Sequence, residues 1–91
     1  MTEDEKKYIR SVSENGNHIG YAFYCPGCKY NHMVDERWKF DGNYERPTFT
    51  PSLITTTSIR CHLNITNGMI NFHIDSEHDL AGKIVPMEEF E

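Results

Sequence analysis

The sequence predicts a mostly β fold: a small zinc-stapled domain of two or three β-hairpins, with at most one short helical turn. Three observations point there. Two Asn-Gly pairs sit between runs rich in β-branched and aromatic residues, the pattern of two-residue hairpin turns. A C-P-G-C tetrapeptide, Cys25 to Cys28, is answered by a third cysteine in Cys61-His62. The 91 residues make a domain too short to bury a large core, so a bound metal would add stability that apolar contacts cannot easily supply.

The first hairpin pairs residues 8–13 with residues 18–24 around Asn15-Gly16, where both residues tolerate positive φ. Its expected register sets Tyr8 opposite Phe23 and Val12 opposite Ile19, and delivers the chain into the cysteine knuckle. Trp38-Lys39-Phe40 reads as a short strand ending at Asp41-Gly42-Asn43. Pro47 and Pro51 then impose an extended path with few ladder bonds, suited to an edge or to the lining of a site. Residues 53–57 have the β-branched density of a strand.

The second hairpin pairs residues 58–66 with residues 69–74 around Asn67-Gly68. That register sets Ile65 against Ile70, Leu63 against Phe72, His62 against His73 and Cys61 against Ile74. Strand alternation sends Cys61, Leu63, Ile65, Ile70, Phe72 and Ile74 to one face, and Arg60, His62, Asn64, Asn71, His73 and Asp75 to the other. Asp75-Ser76-Glu77-His78 reads as a capped helical turn stopped by Leu80-Ala81-Gly82, and residues 83–85 as a last edge strand before Pro86. The expected organisation is an acidic and polar tail over 1–7, one zinc-binding domain over 8–87 and an acidic tail over 88–91.

A net charge of −5, with acidic residues concentrated at both ends, opposes phosphate backbones and argues against nucleic acid. The lack of an apolar run of membrane-spanning length and of signal-peptide order argues against a membrane and for the cytoplasm. An odd number of cysteines in that compartment favours reduced thiolates over disulfides.

Cys25, Cys28 and Cys61 with one histidine make the Cys3His set that structural zinc prefers. His78 is the first choice of fourth ligand, His32 the reserve and His62 third, because a residue next to Cys61 on a strand faces the other way. A separate polar group, Ser52, His62 and Asp75, holds the parts of a nucleophilic site, with His78 as an alternative base. The simpler account is a polar cross-strand pair and a turn serine. His73, facing His62, is expected to be solvated.

Three strings carry a resemblance: F-Y-C-P-G-C-x3-H from Phe23, W-x-F-D-G-N-x-E-R-P-T-F-T-P-S from Trp38, and C-H-x-x-I-T-N-G-x-I-x-F-x-x-D-x-x-H-x-L-A-G-x-x-V-P from Cys61 to Pro86. Together they resemble a family of small phage and prophage proteins of unknown function. Cys25, Cys28, His32, Pro47, Pro51, Ser52, Cys61, His62, Gly68, Asp75, His78 and Gly82 fall on its pattern, and His73 does not. The resemblance implies a phage or prophage origin and a metal-binding β-rich domain. Its relatives are similar to proteins encoded beside bacterial ubiquitin-like conjugation genes, for which a peptidase role is suspected.

The expected function is therefore a zinc-binding accessory protein, with structural Zn2+, acting as an interaction module for a host or phage protein. The alternative is a small hydrolase or peptidase using Ser52 with His62 or His78 and Asp75, or a metal-bound water.

Overall fold

A computed structural model describes residues 8–56 and 59–89. The tail expected over 1–7 lies outside the described residues, as do 90–91 of the other tail and 57–58 between the strands. The described residues form eight strands in two antiparallel sheets and contain no helix. Strands β1 (Ile9–Glu14), β2 (Asn17–Cys25) and β3 (Tyr30–Asp35) make the first sheet, in the order β1-β2-β3. Strands β4 (Lys39–Phe40), β5 (Phe49–Thr55), β6 (Cys61–Thr66), β7 (Met69–Phe72) and β8 (Ile84–Pro86) follow one another across the second.

Both Asn-Gly turns form as their chemistry dictates, with φ of 54° and 81° at Asn15 and Gly16 and of 51° and 76° at Asn67 and Gly68. The first hairpin nevertheless departs from the expected register. A bulge between Val12 and Ser13 shifts the pairing, so Ile9 lies opposite Phe23 and Val12 opposite Gly20. Ile9, and not Tyr8, is thereby the fully buried partner. Strand β3 has no counterpart in the sequence-based expectation. It buries His32 and Val34 in alternation and makes the knuckle itself a hairpin connection, closed by Lys29 N–H donating to the Cys25 carbonyl at 2.7 Å.

The second hairpin keeps its expected register through Leu63–Phe72 and Ile65–Ile70, and His73 N–H donates to the His62 carbonyl at 2.8 Å. Ile74 is a correction: it belongs to a turn beyond β7 and is 87% exposed instead of facing the core with Cys61. The segment 74–82 is a succession of turns and bends, with no helical turn. In β5 the ladder is irregular between Phe49 and Leu53, so the Thr50-Pro51-Ser52 segment bows away from β6 where proline cannot donate.

The inner faces of the sheets share one core. Ile9, Phe23, Cys25 and Val34 of the first meet Phe49, Leu53, Leu63 and Phe72 of the second. Tyr21 ties them further, its ring 4.9 Å from Phe40 and 5.9 Å from Phe49. Its hydroxyl lies 3.3 Å from that of Tyr44, and this bond, then burial, raise the Tyr21 pKa to about 12.

Candidate functional site

Two groups of side chains meet at the start of β6, one on each face. On the inner face, Cys25, Cys28, Cys61 and His78 bring their ligand atoms within 4.8 Å of one another. Cys25 ends β2 and Cys28 follows across the knuckle, its N–H donating to the Cys25 sulfur at 3.4 Å. Cys61 opens β6 and lies 3.8 Å from Cys25, sulfur to sulfur, and 3.4 Å from His78 Nε2. A tetrahedral zinc with sulfurs at about 2.3 Å and nitrogen at about 2.0 Å spaces its ligands about 3.5–3.8 Å apart, so the donor set fits the ion in type and separation.

The hydrogen bond from Cys61 holds the Cys25 thiol down to about 4, against burial and with help from His32. Cys61, as the donor of that bond and also buried, is pushed far up, and burial raises Cys28. His32 lies beside Cys25 but outside the four-residue group, packed edge-on against Phe23 and Tyr30.

Gly27 is shaped by this group. A side chain there would fall into the His78 ring, so the knuckle glycine is required by the close approach of the fourth residue. Phe72 packs against that ring, 4.6 Å away and edge-on.

On the outer face, Ser52 Oγ–H donates to His62 Nε2 at 3.3 Å, and His62 Nδ1–H donates to Asp75 at 3.1 and 3.3 Å. The carboxylate can only accept, which places the imidazole proton on Nδ1 and leaves a lone pair on Nε2 for the serine. Burial pushes the Asp75 carboxyl up, but the hydrogen bond from His62, with its own backbone N–H and the Arg60 charge behind it, outweighs burial and holds the carboxyl below its ordinary value. Ser52 lies in β5 with its hydroxyl within hydrogen-bond distance of the imidazole.

The loop after β7 serves both groups. Asp75 reaches His62 and His78 reaches Cys61, while Glu77 between them receives the Arg60 N–H at 2.7 Å and returns its own N–H to the Arg60 carbonyl at 2.8 Å. Asp75 or Ser76 is expected to cap a helical turn here; buried Ser76 instead bonds the His62 backbone through its hydroxyl, a partner that no local pattern announces. His73 is likewise not solvated. It is half-buried, lies flat on His62 with ring centroids 3.9 Å apart, and donates from Nε2 to Asn64 Oδ1 at 2.9 Å. Opposed histidines at a cross-strand pair were the available sign of that stack.

Next to Ser52 in sequence, Pro51 and Leu53 join Trp38, Leu63 and Asn64 around a small, mostly apolar surface depression. No helix among the described residues is long and apolar enough to cross a membrane.

No curated protein and no solved structure matches the chain. A family model, described as bacterial ubiquitination-like system serine protease (BubE), matches residues 1–73. That span carries Cys25, Cys28, Ser52, Cys61 and His62 and ends before Asp75 and His78. With a matched length of four-fifths of its residues, the chain belongs to the bacterial ubiquitination-like system serine protease (BubE) family.

Proposed function

We propose that the chain is a serine peptidase of a bacterial ubiquitination-like system, with Ser52 as nucleophile, His62 as base and Asp75 as the group that orients it. The observation that carries this is the continuous Ser52–His62–Asp75 hydrogen-bond line at 3.3 and 3.1 Å, in a chain of a serine protease family. Ser52 Oγ attacks a peptide carbonyl as its proton passes to His62 Nε2. Asp75 stabilises the imidazolium that forms, and His62 returns the proton to the leaving amine. Water, deprotonated by the same nitrogen, then releases the acyl group and restores the Ser52 hydroxyl.

Cys25, Cys28, Cys61 and His78 would hold a structural zinc, whose contribution is cross-linking charge in the core. Four protein ligands leave no open position for a bound water, which separates this ion from the chemistry at Ser52.

The test is labelling with a fluorophosphonate probe. Adduct on Ser52 located by peptide mass spectrometry, absent in Ser52→Ala and reduced in His62→Ala, is expected; an unlabelled, folded wild-type chain overturns the reading. A second reading, a zinc-stabilised interaction module for a protein partner in the host cytoplasm, draws on exposed Ile54 and Ile84, 54% and 62% accessible. Ile54 lies opposite His62, and Ile84 opposite Asn71, on the same sheet. It would gain if partner capture persisted in Ser52→Ala while the wild type took no probe.

A further inference from the structure

His62 is held at its edges by two hydrogen bonds, to Ser52 at Nε2 and to Asp75 at Nδ1. Two in-plane bonds at opposite corners of a ring fix its position but leave it able to rock about the line joining them. A surface lying flat against the ring removes that freedom. His73 supplies one: its ring is 3.9 Å from His62 and inclined by 16°. His73 is itself fixed at three points. Its Nε2–H is bonded to Asn64 Oδ1 at 2.9 Å, its N–H to the His62 carbonyl at 2.8 Å, and its carbonyl accepts the Ser76 N–H at 3.0 Å.

We propose that His73, locked by Asn64, is a positioning residue that keeps the His62 imidazole in its working plane. This rests on the reading of Ser52, His62 and Asp75 as the reacting group. The chemistry says when the stack matters most. Once Ser52 Oγ is acylated it has no proton to donate, and the Nε2 end of His62 loses its tether. The ring must nevertheless stay in place to take a proton from the water that attacks the acyl carbon, and misplacement of about 1 Å is enough to cost on the order of 10²-fold in rate. Deacylation is thus the step that depends on His73.

Hydrolysis of p-nitrophenyl acetate separates the two half-reactions. For His73→Ala, the expected result is a burst whose rate stays within about threefold of wild type, followed by a steady state about tenfold slower, with KM falling alongside kcat. His73→Phe keeps the flat ring without the bond to Asn64 and should recover most of the lost rate. Asn64→Ala should lower kcat less than His73→Ala and add little to it in the double variant. An unchanged steady state in His73→Ala, an equal loss in the Ala and Phe variants, or a loss that follows melting temperature or zinc content would overturn the proposal.

The imidazole nitrogen resonances of 15N-labelled protein give a readout independent of turnover. His62 signals should broaden or split in His73→Ala and stay sharp in His73→Phe; sharp signals in both refute the positioning role. A wild-type chain that fails to take a fluorophosphonate would defeat the triad reading by itself, and the ring order of His62 would still decide the role of His73.

Discussion

Ser76 grips His62 by the backbone. Its hydroxyl oxygen accepts the His62 N–H at 2.9 Å and its hydroxyl hydrogen is donated to the His62 carbonyl at 2.9 Å, satisfying both main-chain groups of one residue with one side chain. This clasp lies between Asp75, which orients the His62 ring, and His78, which meets Cys61. One short loop therefore sets the geometry on both faces of β6, and the outer group and the inner cluster are mechanically joined.

Ser76→Ala should expose the importance of that clasp. Ser76 is only 7% accessible, and the substitution strands the His62 N–H in a largely dry place, at a cost of about 2 kcal/mol, while the His62 carbonyl keeps the bond from the His73 N–H. Thermal unfolding should show a midpoint about 10 °C lower. The kcat for an ester substrate should fall by about tenfold, since the backbone beneath His62 is released. A variant that melts and turns over like wild type would show that the clasp is dispensable.

Purified protein should contain one zinc per chain by elemental analysis, and Cys61→Ser should lose it and unfold. Apparent zinc-binding free energies of about 10–16 kcal/mol exceed the few kcal/mol a domain of this size secures alone. A strong chelator should abolish both the folded circular dichroism signature and Ser52 reactivity, because Asp75 and His78 share a loop. Retention of full reactivity after complete zinc removal would separate the two faces.

Gly27→Ala tests the close approach in the knuckle. The added methyl would overlap the His78 ring, so zinc affinity should drop by at least about tenfold. The effect should largely vanish in a His78→Ala background, where the obstructed ring is gone; additive losses in the double variant would place the strain elsewhere.

Acid sensitivity follows from Asp75. Its folded carboxyl titrates below the ordinary carboxylate value, so the stabilisation it contributes is present above a pH of about 4 and is lost as pH falls through the lower folded value. In pH-dependent melting, Asp75→Asn should remove that acid-side loss. It should also reduce kcat by about 10²-fold or more at neutral pH, because an amide can settle the imidazole in the wrong tautomer. Wild-type kcat in Asp75→Asn would exclude the residue from the relay.

Much of this geometry was legible in local chemistry. Asn-Gly pairs dictated both tight turns, and strand alternation separated Cys61 from His62, because neighbouring side chains on a strand must face opposite ways. The two-residue gap of the cysteine knuckle likewise brought two sulfurs to one point. Less visible was β3, whose buried positions include a histidine, so that its alternation is muted. The bulge at Val12 was equally hidden, since a single extra residue in a ladder costs little locally and is decided by which side chain the core accepts, here Ile9.

The sequence by itself thus determined the fold class, the hairpin turns and the chemistry of the donor groups, all of which depend on residues close together in the chain. Only the tertiary structure decided that Ser52 Oγ lies within 3.3 Å of His62, that Ser76 clasps its backbone, and that His73 covers its ring. Those contacts join residues 10–14 positions apart, through the bowed start of β5 and the folding back of the 74–82 loop, and such closures follow from packing instead of from local propensity.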